Sequence, residues 1–167
     1  LIGALGIMAG SQGTMNNFVW GNEVFQNYET IAGGTGAGPS FNGCDAVQTH
    51  MTNTKMTDPE ILEKRFPVRL RSFAIRGRSG GSGAYRGGHG ALRRLEFLTD
   101  VTVTTLCSHR VIPPFGVAGG DNGATGQNWA ELPDGSRVEL NGNDEIDLPA
   151  GSIFGLATPG GGGWGVA

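Results

Sequence analysis

Three histidines, His50, His89 and His109, are the first residues to weigh for chemistry. No two stand at i, i+2 or i, i+4, and no H-E-x-x-H occurs, so their spacing marks no metal site. His50 stands out by its setting, Thr49-His-Met-Thr-Asn53, a polar string just ahead of a predicted helix start. A loop of that kind can place an imidazole and an amide in a cleft, which makes His50 and Asn53 the catalytic candidates. The plainer alternative is that Thr52 and Asn53 form turns. Among nucleophiles, Ser79 in Gly77-Arg-Ser79-Gly-Gly81 lacks the glycine spacing of the G-x-S-x-G elbow. Cys107 takes an inward place in a strand and reads as a small core residue, while Cys44 shows no adjacent base. The two cysteines form no C-x-x-C pair, so reduced thiols and a cytoplasmic location are expected.

Glycine clusters raise the question of phosphate. Gly81-Ser-Gly83-Ala-Tyr-Arg-Gly87 is one residue too long for G-x-G-x-x-G, and a predicted strand follows where a helix N-terminus is needed. No G-x-x-x-x-G-K-[ST] occurs; the only lysines are Lys55 and Lys64. Turn formation is therefore the reading for these glycines, and no nucleotide or metal cofactor is expected within these residues.

Charge is unevenly placed. Residues 64–94 hold nine of the twelve basic residues and no acid, whereas residues 95–167 hold nine acids against two arginines. Either these segments pair with one another or lie on opposite solvated faces, or an anion-facing surface forms around Arg76, Arg78 and Arg86. Arginine outnumbers lysine ten to two, which favours fixed planar contacts with carboxylates.

A length of 167 residues suits one domain. Apolar residues at 38% and charged residues at 16% fall below the usual averages of about 45–50% and 25%, and glycine, 31 residues, makes up the difference. No Gly-X-Y period exists, and a glycine inside a helix costs about 1 kcal/mol relative to Ala, so collagen and a helical bundle are excluded. A β-rich domain remains, with glycine supplying positive φ in tight turns. The net charge of −3 argues against a nucleic-acid partner, and no apolar run reaches the roughly 18 residues of a membrane helix. The opening Leu1-Ile-Gly-Ala-Leu-Gly-Ile-Met-Ala-Gly10 has no basic n-region and reads as the continuation of a longer polypeptide. Its apolar side chains, if exposed, favour a homo-oligomer.

The elements that must hold the candidates follow from pattern. Thr57-Asp-Pro-Glu60 has the spacing of a capping box, and Pro67 ends the helix about two turns later, giving one short helix near 58–66. Phe18-Val-Trp-Gly and Tyr28-Glu-Thr-Ile31 are short strands. Val68-Arg-Leu-Arg-Ser-Phe-Ala-Ile-Arg76 is a longer one, whose apolar parity slips near Arg71-Ser72, predicting a bulge. Residues 91–98 and the β-branched run 101–107 are strands, 129–140 is a hairpin turning at Pro133-Asp-Gly135, and 144–148 and 152–158 complete the set. The expected fold is mainly β: a sandwich or barrel-like pair of antiparallel sheets with one short helix and long Gly-rich loops. Residues 1–57 form a loop-rich segment continuing from an upstream region and wrapping over something larger; residues 58–167 form a β-rich C-terminal domain.

A series of strings in one order then carries a resemblance. Gly13-Thr-Met-Asn-Asn17, Tyr28-Glu-Thr-Ile-Ala-Gly-Gly34, His50-Met-Thr-Asn53 and Thr57-Asp-Pro-Glu60 come first. Arg76, Ser79-Gly-Gly81, Tyr85-Arg-Gly-Gly88, Pro113-Pro-Phe-Gly116 and Thr158-Pro-Gly-Gly-Gly-Gly-Trp-Gly165 follow. Together they resemble the C-terminal portion of the B component of the hydantoinase/5-oxoprolinase family, closest to the bacterial 5-oxoprolinases. The resemblance implies ATP-dependent opening of a cyclic amide, 5-oxo-L-proline to L-glutamate, with hydantoins or ketones as substrates of related members. It also implies a partner, a hydantoinase A-type ATPase component that phosphorylates the lactam oxygen. ATP and a divalent metal belong to the full complex, the metal-binding residues lie upstream, and this portion is inactive alone. A substrate carboxylate suits bidentate arginine, so Arg76, Arg86 and nearby Ser79 are substrate-binding candidates; alternatively the arginines tie loops together. The competing reading is a non-catalytic assembly domain of a hydantoinase or related carboxylase complex, and a β-sandwich module with unrelated ligands ranks last.

Overall fold

The computed structural model describes residues 1–13 and 15–167; Thr14, part of the first family-like string, lies outside the described residues. In chain order come β1 (Asn16–Gly21), β2 (Gln26–Thr30), α1 (Pro59–Arg65), β3 (Val68–Arg76), β4 (Gly90–Phe97), β5 (Val101–Cys107), β6 (Gln127–Glu131), β7 (Arg137–Leu140), β8 (Glu145–Leu148) and β9 (Ile153–Ala157). They build two antiparallel sheets, β2-β1-β5-β8 and β3-β4-β9-β6-β7, and neither closes into a barrel. The expected mainly β sandwich with a single short helix is what forms. The segment 1–57 contributes β1 and β2 to a sheet completed by β5 and β8.

Strict alternation explains the pairing. In β4, Ala91, Arg93, Leu95 and Phe97 are buried while the residues between them are only partly so. β5 buries Val101, Val103, Thr105 and Cys107 in the same way. The bulge falls where the parity slip put it: Leu70 pairs with Leu95 and Ser72 with Arg94, so Arg71 is the extra residue. Between the sheets Phe18 stacks on Phe154 at 5.0 Å, and Trp20 packs against Phe97 at 5.5 Å and Phe66 at 5.2 Å. Burial of each such side chain contributes roughly 1.5–3 kcal/mol. Among the described residues, two inward positions are charged. Arg93 of β4 makes a bidentate pair with Glu29 of β2, at 2.7 and 2.8 Å, fully inside and bridging the two sheets.

Helix α1 corrects one expectation. Thr57 does not cap it: Asp58 does, its carboxylate accepting the Glu60 amide at 3.0 Å, with Pro59 in the first turn. Asp58 stands directly before Pro59, which has no N–H, so its short side chain reaches the first free amide of the helix, that of Glu60.

A second correction concerns the glycines. Only seven of the 31 take positive φ, among them Gly13 and Gly135, so turn geometry explains a minority. Most of the rest form a cage around the segment 159–164. The amides of Gly160, Gly161, Gly162 and Gly163 donate in turn to the carbonyls of Ala124, Gly88, Gly10 and Asp121, at 2.8–3.1 Å. The carbonyls of Gly161, Gly162 and Gly163 accept from Gly81, Ala37 and Val117. A methyl placed on Gly160 or Gly163 would land on the carbonyls of Ser79 and Ser82, on Gly161 on Thr35, and on Gly162 on Phe115. Residues three apart thus face the same neighbour, which is the period of a polyproline-II helix. Such a helix has no internal hydrogen bonds, so its buried backbone must be satisfied by surrounding strands of chain. Backbones can come this close only where no Cβ intervenes.

Candidate functional site

At one end of the first sheet, a cleft of about 440 Å³ is lined by Ser11, Gly13, His50, His109, Phe115 and the opening residues of the chain. The topology brings these distant segments together. Antiparallel pairing of β1 with β5 sets Asn16 opposite Cys107, so Gly13 before β1 meets His109 after β5. The Gln12 amide donates to the Gly34 carbonyl, and Val47 donates to Gly33, which carries the 47–50 segment to the same end. Beneath the cleft a buried polar chain fixes the registration. Asn16 donates to Gln12 Oε1 at 2.7 Å, and the Arg110 guanidinium donates to Asn16 Oδ1, to Asn128 Oδ1 and to the Ser108 carbonyl at 2.7–2.9 Å.

Both histidines stand at φ +54°, a region that non-glycine residues enter at a cost of about 1–3 kcal/mol and that clusters at functional sites. His50 is exposed on a turn that Thr52 closes, its amide and hydroxyl both bonding the Thr49 carbonyl at 3.0 and 2.9 Å. His109 is held at both ends: its carbonyl accepts the Gly126 amide, and its Nδ1 lies 2.7 Å from the Ile112 carbonyl. A carbonyl only accepts, so Nδ1 carries a proton, and in the corresponding neutral tautomer Nε2 is an acceptor. Ser11 is buried, and its hydroxyl oxygen accepts the Gly36 amide at 3.0 Å. Among the described residues, neither His109 Nε2 nor the Ser11 hydroxyl proton has a partner.

The sequence candidates fall in three places. His50 lines this cleft. Asn53, exposed, lines a neighbouring groove of about 390 Å³ with Tyr28, Met15 and Thr52, so no one cavity holds both catalytic candidates. Arg76 and Ser79 meet at the glycine cage: the Ser79 hydroxyl donates to the Arg76 carbonyl at 2.7 Å and accepts from the Gly90 amide at 2.8 Å. Arg76 Nη1 donates to the carbonyls of Thr125 and Thr158 at 2.7 and 3.0 Å, and burial lowers its pKa. Arg86 bonds Asp45 at 2.8 Å and the Gly87 carbonyl at 3.0 Å. Burial acts to raise the Asp45 carboxyl, yet bonds from Arg86 and the His89 amide outweigh it and leave it below its ordinary value. Of the anion-facing trio, Arg78 and Arg86 are exposed and Arg76 is half-buried, with Arg78 on a turn at φ +62°. Arg69, Arg71 and Arg94 pair with Glu96 and Glu131, as the segment-pairing reading of the charges expects, whereas Arg86 and Arg93 pair with Asp45 and Glu29 of the first segment. Burial pushes the Cys107 thiol up, which keeps it a neutral core residue.

His109 is the site residue that sequence reasoning passed over. No local spacing links it to His50; the link runs through strand pairing and the Gly33–Val47 bridge. No three His, Cys, Asp or Glu side chains gather among the described residues in a way that could ligate a metal. No described helix is long and apolar enough to cross a membrane.

Comparison with known proteins gives a family. The family model for hydantoinase B/oxoprolinase matches residues 1–167. The chain is 50% identical over 155 residues to 5-oxoprolinase 1 of Arabidopsis thaliana, covering 93% of this chain and 12% of that protein. It is 46% identical over 165 residues to the 5-oxoprolinase of Dictyostelium discoideum, covering 99% of this chain and 13% of that protein. The chain thus spans about an eighth of the length of these curated relatives. The crystal structure of the ATP-dependent caprolactamase from Pseudomonas jessenii shares the fold, with a TM-score of 0.77 at 22% identity, covering 95% of this chain and 30% of that one.

Proposed function

We propose, from the premise that the chain belongs to the hydantoinase B/oxoprolinase family, that it is a portion of an ATP-dependent cyclic-amide hydrolase. Its reaction is the opening of 5-oxo-L-proline to L-glutamate, with a hydantoinase A-type ATPase component as partner. The observation that carries this reading is the 46–50% identity to two 5-oxoprolinases across nearly the whole chain. The glycine cage supports the division of labour. The amides of Gly160 to Gly163 are already bonded to carbonyls and are not free to cradle a phosphate, which is consistent with nucleotide handling by the partner. In this reading the divalent metal of the full complex is held by residues outside this portion.

An amide carbonyl is a poor electrophile, and phosphorylating its oxygen makes the ring carbon open to water. Within that scheme this chain supplies the imidazole-lined cleft, with His50 on its rim. A second reading, a non-catalytic assembly domain, draws on Arg76, Ser79 and Arg86, whose polar groups bond backbone or Asp45. The two differ in whether any side chain of this chain comes within hydrogen-bond reach of substrate.

The experiment is ATP turnover by the complete two-component enzyme with and without 5-oxoproline. The expected result is glutamate formed only with both present, and a drop of roughly 10²-fold or more for His50→Ala with unchanged folding, as for loss of an acid–base group. No 5-oxoproline-dependent turnover overturns the hydrolase reading; unchanged turnover in His50→Ala favours the assembly role.

A further inference from the structure

We infer that the wall of the cleft formed by His109 and Ser11 is a subsite for the cyclic amide bond itself, an inference that rests on the hydrolase reading above. A small ring holds its amide cis, so the N–H and the C=O project side by side from one edge. A site that recognises that edge needs one acceptor and one donor next to each other, with an apolar surface for the ring methylenes.

An acceptor and a donor of that kind both line this cleft. The Nδ1–H of His109 is committed to the Ile112 carbonyl at 2.7 Å, which leaves Nε2 as an acceptor suited to a lactam N–H. The Ser11 oxygen is occupied by the Gly36 amide at 3.0 Å, which leaves its proton as a donor suited to a lactam carbonyl. Phe115 and Ile2 supply apolar wall, and at about 440 Å³ the cleft has room for a small heterocycle. Gly13 supports the geometry from behind. A Cβ there would come within 2.8 Å of His109 Cδ2 and 3.1 Å of Nε2, so the bare backbone lets the imidazole edge sit where it does. Two of the five non-glycine residues at positive φ among the described residues, His50 and His109, line this cleft.

The test is a chemical cycle on the complete two-component enzyme. 2-Pyrrolidone and N-methyl-2-pyrrolidone are compared as competitive inhibitors of 5-oxoproline turnover, in the wild type and in His109→Ala. The methyl group replaces the N–H and leaves the carbonyl in place. We expect the wild type to bind 2-pyrrolidone about tenfold or more tightly than the N-methyl analogue, and the ratio to fall to near one in His109→Ala. Ser11→Ala, assayed in parallel, should weaken both inhibitors alike, because both keep the carbonyl. If His109→Ala does not fold, the Ser11 arm and the wild-type ratio carry the decision. Turnover of 5-oxoproline with a wild-type ratio near one, a ratio unchanged in His109→Ala, or no effect of Ser11→Ala overturns the subsite and leaves the hydrolase reading standing. Absence of cyclic-amide turnover in the wild type overturns both.

Discussion

The sandwich core and the glycine cage solve the same problem with opposite materials. Between the sheets, Phe18, Trp20, Phe97 and Phe154 fill space with large side chains, and the backbones stay apart. Around 159–164 there are almost no side chains, and the backbones themselves touch through hydrogen bonds. The first design draws on apolar burial and tolerates changes of shape at constant volume. The second draws on backbone satisfaction in a space with no spare volume, so its tolerance is confined to hydrogen. A glycine-rich stretch can therefore be the most rigidly specified part of a chain.

The hardest blow to that contrast is Gly161→Ala. Its new methyl would overlap the Thr35 carbonyl, and neighbouring segments cannot shift without breaking their own bonds. We expect a loss of about 3 kcal/mol or more, read as a fall in denaturation midpoint or as insoluble expression. A variant as stable as the wild type would show the cage to be loose. Next is Glu29→Ala, which leaves Arg93 buried between the sheets without its partner. About 3–5 kcal/mol should be lost in chemical denaturation, and a loss under 1 kcal/mol would mean that water reaches Arg93. Leu95→Met supplies the opposite pole, since Leu95 is fully buried in the sandwich. Its cost should stay below about 1.5 kcal/mol, and matching the Gly161 variant would erase the difference between the two regions.

The smallest effect sits at the edge of the cage, where Asp45 bonds Arg86 and the His89 amide. The Asp45 carboxyl lies below its ordinary value in the folded state, so the linkage contributes stability above the unfolded value of 3.8. That contribution is lost as pH falls through the folded value. In Arg86→Ala the acid limb of the stability curve should flatten slightly, and at neutral pH the change should stay within about 1 kcal/mol. A steeper acid limb would reverse the assigned direction.

How far the sequence could be read follows the same division. The strands β4 and β5 announce themselves because alternating side chains carry a period of two, β6 and β7 by the turn chemistry between them, and even the Arg71 bulge left a slip in parity. The cage is silent by that measure. Its positions have no side chains to alternate, so a cluster such as Gly80-Gly81 or Gly87-Gly88 reads as turns until the partner segments are seen. At the cleft, His50 could be singled out from its own polar string, but His109 could not. Fifty-nine positions of chain separate them, and only pairing of β1 with β5 and the bridge at Gly33 set them on one cavity. Arg76, Ser79 and Arg86 were legible as special residues. Their bonds to Thr125, Thr158, Gly90 and Asp45 depend on long-range packing that no local pattern encodes.

The axial segment 159–164 comes later in the chain than every segment that encloses it. During synthesis on a ribosome, the enclosing segments emerge with their inward amides and carbonyls facing water, and no partial closure can satisfy them. The last-made piece acts as the dowel of the joint: until it is threaded, a nascent chain carries an open sleeve of backbone that a chaperone or an aggregate can grasp.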